Sequence, residues 1–160
     1  MVDPTVELTQ PGGPYPYGDA LLTDGAGGYT IAPTLRPYLL TFSIPGRLGH
    51  NEQRACLHQG VDSLVSGVVL TTAANLIGLA VSVDQPVHVG AYRVEALLLT
   101  DDGPRLLGAV DLDGGKRRNV EVGLNIPISA GSEVGVRVLQ TAGNLDSPFS
   151  TGIVTVELEG

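Results

Sequence analysis

From Tyr38 onward, apolar residues recur at every second position in short runs that glycine and proline repeatedly cut off. Period-2 alternation marks a strand with one buried face, and turn signals at about eight- to twelve-residue intervals mark a sandwich or barrel. Tyr38, Leu40, Phe42 and Ile44 line one face of a first strand, stopped by Pro45-Gly46. Residues 47–60 read as loop with a short strand around Arg54 to His58, and Leu64, Ser66, Val68 and Leu70 alternate with their neighbours as a further strand. Ile77, Leu79, Val81 and Val83 face one way up to Pro86. Tyr92 to Leu99 and Arg105 to Leu112 form a hairpin across Asp101-Asp102-Gly103-Pro104, and Asp113-Gly114-Gly115 turns the chain into Asn119 to Ile126. Val134, Val136 and Val138 precede a turn at Ala142-Gly143-Asn144, and Val154, Val156 and Leu158 form the last strand. The expectation is an all-β antiparallel sandwich of about eight strands; Thr71 to Leu79 is the one modest helical candidate.

Residues 1–37 differ. They carry prolines at 4, 11, 14, 16, 33 and 37 and glycines at 12, 13, 18, 25, 27 and 28. Proline fixes φ and removes a donor, so the stretch reads as an extended arm with turns at Pro11-Gly12-Gly13-Pro14 and Asp24-Gly25. The domain expectation is therefore an N-terminal arm at 1–37 and a β-sandwich at 38–160. Tyr15, Tyr17, Leu21, Leu22 and Tyr29 are the arm's candidate anchors for docking on a partner, or on its own sandwich.

Charge narrows the function classes. Seventeen acids against nine bases give a net charge of −8, the wrong sign for a phosphate-binding surface. The basic run Lys116-Arg117-Arg118 follows Asp113-Gly114-Gly115 and reads as a solvated hairpin tip. Ser63 to Val83 contains no charge and is long enough to span a bilayer. Its Ser, Thr and Asn content and acidic flanks suit strands better. The first residues have neither a basic nor an apolar signal region. Cys56 is the single cysteine, which leaves it without an intrachain disulfide and reads as a small buried hydrophobe.

Catalytic patterns are sparse. There is no Gly-x-Ser-x-Gly elbow and no Cys-x-x-Cys pair, and Gly25-Ala26-Gly27-Gly28 lacks the Lys of a phosphate loop. His50, Glu52, Cys56 and His58 are ligand types but fit no zinc spacing. Asp111-Leu112-Asp113-Gly114-Gly115 begins like a calcium loop without its closing Glu. His88 precedes a strand as a surface residue, and Pro11-x-x-Pro14 is a short polyproline match. No catalytic residue, metal or cofactor is expected. A cupin-like metal site on His50 and His58 is the enzymatic alternative.

Two segments carry a resemblance. Ile128-Ser129-Ala130-Gly131-Ser132-Glu133-Val134-Gly135-Val136-Arg137-Val138 and Gly152-Ile153-Val154-Thr155-Val156-Glu157-Leu158-Glu159 together resemble the compact β-sandwich domains of tailed-bacteriophage virion proteins. Such domains include capsid decoration proteins, head spikes and fibre knobs. The likeness covers roughly residues 62–160, and lectin-like and tumour-necrosis-factor-like jelly rolls share the turn. It implies jelly-roll topology, trimeric assembly, and a non-enzymatic decoration (cement) subunit on the capsid exterior, partnered by the major capsid protein or other virion subunits, with no nucleic acid or membrane partner. The alternative it implies is a receptor- or glycan-binding knob.

Overall fold

The computed structural model describes residues 37–160 and, before them, the backbone of residues 20–23 and 29–32. The chain divides into two compact units, Met1–Arg36 and Pro37–Gly160.

In the first unit, β1 (Ala20–Thr23) and β2 (Tyr29–Ala32) pair antiparallel, with Leu21 opposite Ile31 and Leu22 opposite Thr30. Period-2 reading had placed no element here, because four-residue strands are too short to establish a pattern.

The second unit contains β3 (Pro37–Pro45), β4 (Gln53–Ala55), β5 (Leu57–His58), β6 (Val61–Asp62), β7 (Val68–Val69), β8 (Ala74–Val87), β9 (Ala91–Leu99), β10 (Arg105–Leu112), β11 (Lys116–Ile128), β12 (Glu133–Ala142) and β13 (Thr151–Glu159). One sheet has the order β11-β8-β13-β3-β5-β6, and the other β10-β9-β12-β4, with β7 also on β12. Every pairing is antiparallel. Setting aside the two-residue β5 and β6 and taking β4 and β7 as two halves of one interrupted strand leaves eight strands that cross repeatedly between the sheets, with the last lying between the first and third. That connectivity is a jelly roll.

The two inner faces meet in one core. Phe42, Leu79, Val81, Val154 and Val156 from the larger sheet pack with Tyr92, Val94, Val110, Val134, Val136 and Val138 from the smaller. The Tyr92 and Phe149 rings meet edge to face at 4.9 Å, a favoured aromatic geometry.

Several expectations need correction. Ile77 does not share a face with Leu79: Glu157 pairs with Gly78 and Leu158 with Leu76, so Ile77 is the extra residue of a β-bulge. The inward set therefore shifts, with Leu76 buried on one side of the bulge and Leu79, Val81 and Val83 on the other. The continuous strand expected over Leu64 to Thr71 is a turn followed by the two-residue β7, because Asp62 accepts from the Leu64 and Val65 N–H groups and stops extension. Thr71 to Leu79 is not helical; it enters β8. The basic run starts β11 and does not form the hairpin tip, although its side chains are exposed as expected. No helix among the described residues is long and apolar enough to cross a membrane.

Candidate functional site

The two outer faces of the sandwich are built differently. On the smaller sheet, Arg93 pairs with Asp111 at 2.8 Å and Arg137 with Glu95 at 2.6 Å. Such cross-strand pairs give an outer face that prefers water.

The larger sheet has no such closure. Register aligns three rows across its outer face: Arg118–Ser82–Ile153–Ser43, Val120–Ala80–Thr155–Thr41, and Val122–Gly78–Glu157–Leu39. Leu39, Val120, Val122 and Ile153 are 62, 56, 68 and 55% exposed. A single exposed valine is ordinary; four large aliphatics on one sheet face are not. β8 contributes small residues here, so Ala80 and Ser82 form the floor of a groove of about 460 Å³ walled by Arg118 and Val120 on one side and Ile153 and Thr155 on the other. It continues past Ser82 and Ile153 into a depression of about 300 Å³ bordered by Arg117, Asp84 and Thr151. At its other end the Glu157 side chain closes over Gly78. Among the described residues neither Arg117 nor Arg118 forms an ion pair. Asp84 is engaged elsewhere, accepting from Ser150 N–H and Oγ at 2.9 Å each and from Thr151 N–H at 3.2 Å.

This face was missed in the sequence because the strand reading followed inward positions only. The available signal was the adjacent apolar pairs Leu39-Leu40 and Ile153-Val154, where alternation breaks and both faces turn apolar.

The arm candidates lie in the first unit. Tyr15 and Tyr17 are outside the described residues; Leu21 and Leu22 are in β1 and Tyr29 in β2, with only their backbone positions described.

The potential ligand residues do not converge. His50 is exposed on a loop, its Nε2 3.0 Å from Asn51 Nδ2. Glu52 accepts from Gly49 N–H and from Arg54, contacts that hold its carboxyl below the ordinary range. Cys56 is buried, which pushes its thiol up to about 12. His58 tilts against Phe42 at 5.2 Å, its Nδ1 3.0 Å from the Thr41 carbonyl oxygen. Asp111 is held by Arg93 and Asp113 lies 3.5 Å from Lys116. No group of three or more His, Cys, Asp or Glu among the described residues is placed to hold a metal ion.

No family model matches the sequence, and no curated protein matches it. Solved structures similar to it include the acidic stable capsid of Helicobacter pylori bacteriophage KHP30, at 14% identity over 78% of this chain and 87% of that one, TM-score 0.42. The capsid asymmetric unit of cyanophage Pam1 aligns at 13% identity over 86% of this chain and 96% of that one, TM-score 0.43. A Bacillus endospore appendage of a disulfide-linked pilus family aligns at 9% identity over 78% and 88%, TM-score 0.41.

Proposed function

We propose that the protein is a structural virion subunit, a decoration subunit that coats the exterior of a tailed-phage capsid and stabilises it. One observation carries this reading. The buried polar side chains among the described residues are all spent on holding the jelly roll together, and the larger sheet leaves a broad face with four exposed large aliphatics for contact. Ser63, Ser147 and Glu95 are buried in hydrogen bonds or an ion pair, and Glu52 and Asp84 tie down loops. The sequence resemblance to tailed-phage virion domains supports the same role.

The mechanism is assembly. A subunit that binds only the completed shell stabilises it by mass action. In a trimer each modest contact is repeated, so avidity replaces single-site affinity. The arm supplies Tyr15, Tyr17, Leu21, Leu22 and Tyr29, side-chain types that concentrate binding energy when they fill partner pockets. The net charge of −8 keeps an exterior subunit off packaged nucleic acid.

A glycan-binding knob needs exposed rings on which sugars stack. Phe42, Tyr92 and Phe149 are fully buried and Tyr38 is half-buried, so the sandwich offers poor support for that reading. The test is co-sedimentation of the full chain and of a variant lacking residues 2–36 with purified phage shells, alongside a glycan array. The full chain coats shells and the truncated one does so at least about tenfold more weakly, the loss of one anchor-rich contact. Glycan binding without shell binding overturns the proposal.

A further inference from the structure

The groove on the larger sheet has a shape and charge that select an occupant. Its floor at Ala80 and Ser82 is low because both side chains are small, and its walls at Val120 and Ile153 are aliphatic and exposed. It runs along the strand direction from the Glu157 side chain over Gly78 to the open end beside Arg117. A groove of that form accepts an extended backbone, with alternate side chains directed between the walls. No aromatic ring lines it, so it lacks the stacking platform a nucleotide or sugar uses.

Charge sets the partner's sign. In a chain of net charge −8, two of the nine basic residues border this groove, and neither is neutralised within the described structure. Asp84 at the same end keeps its charge while held by Ser150 and Thr151, and so offsets only one of the two arginines; the face's other acids, Glu157 and Glu159, lie toward the opposite end. The open end is therefore locally cationic on an acidic protein, a contrast that favours a carboxylate there and orients what binds.

We propose that this groove is a docking site for an extended acidic segment of another protein, which lays alternate aliphatic side chains between Val120 and Ile153 and sets a carboxylate against Arg118. The site stands on the described residues alone and holds whether or not the protein coats a shell.

The experiment titrates two peptides into the full chain and follows backbone amides by NMR. One is acetylated, amidated Glu-Thr-Val-Thr-Val-Thr-Gly, in which the glutamate shares a face with the valines; its twin has lysine in place of glutamate. The glutamate peptide shifts the amides of Ala80, Ser82, Val120 and Ile153, and binds about tenfold more tightly than its twin, as expected for one favourable charge contact at an interface. Arg118→Glu inverts that preference, and Ala80→Arg, which fills the floor, abolishes binding by both. The unshifted remainder of each spectrum shows that the variants fold. Equal binding of the two peptides, or shifts scattered away from the groove, overturns the proposal.

Discussion

The Ser63 hydroxyl accepts from Val136 N–H and donates to the Val136 carbonyl, each at 3.0 Å, although the two residues lie 73 positions apart. The contact repairs a break. Along β12, β7 pairs only as far as Val134 and β4 only from Arg137 onward, so Val136 sits in the gap between the halves of the interrupted strand. Cys56 N–H also reaches its carbonyl, at 2.8 Å, but Ser63 is the partner of its N–H. Ser63→Ala leaves that buried donor unmade and costs about 1–3 kcal/mol. Urea denaturation measures it, with the exposed Ser66→Ala as a control that stays within about 0.5 kcal/mol.

Gly135 makes the same repair possible from the other side. A Cβ there would stand 2.4 Å from the Ser63 carbonyl oxygen, a backbone atom that cannot rotate away. Gly135→Ala therefore displaces the 63–67 segment and destabilises by about 1–3 kcal/mol. Hydrogen exchange reads the effect locally, as faster exchange at Ser63 and Val136. Unchanged protection at both would contradict it.

Glu95 is largely buried against Arg137 on the smaller sheet. Removing the cation alone strands the carboxylate, so Arg137→Leu costs about 2 kcal/mol, less than a fully buried pair because the arginine keeps some solvent. The double variant Glu95→Leu with Arg137→Leu recovers most of that loss. A thermal melt in which the double variant is no better than the single one would sink the argument.

Asp84 links pH to stability. Desolvation raises its pKa, but the hydrogen bonds from Ser150 and Thr151 outweigh it and hold the carboxyl below its ordinary value. The unfolded chain then binds the proton first as pH falls, so this contribution is complete above the unfolded pKa and is lost as pH drops through the folded one. Glu52, lowered by Gly49 N–H and Arg54, acts in the same direction. Asp84→Asn flattens the acid limb of the stability–pH curve; an unaltered limb would exclude the linkage.

Cys56 is a buried thiol pushed up to about 12 by desolvation. Thiolate is the reactive form, so the native protein resists Ellman's reagent at pH 8, and labelling follows the unfolding transition in denaturant. Prompt stoichiometric labelling in the folded state would be the contrary result.

Alternation located β3, β9, β10, β12 and β13 because each has one strongly apolar face that the local pattern records. The bulge at Ile77 was not legible, since an extra residue shows only against the partner strand, and Glu157 and Leu158 lie some eighty positions away. The interrupted strand was misread for a related reason. Leu64 to Thr71 alternates well, yet the Asp62 side chain and the Ser63 hydroxyl take the hydrogen bonds that would have extended it. The groove needed the register as well: Val120, Ala80 and Thr155 become one row only when three separated strands are aligned. The burial of Cys56 was accessible earlier, because a lone cysteine already reads as a small buried hydrophobe.

Pro37 lies opposite Glu159 at the start of the β3–β13 pairing, and this sets how the sandwich answers to force. Tension between residues 37 and 160 pulls the two strands apart from one end, breaking their hydrogen bonds one at a time. Tension between Pro37 and a grip on the outer sheet face instead drags β3 along its own axis and loads its whole ladder together. The same strand is a zipper in one direction and a shear joint in the other.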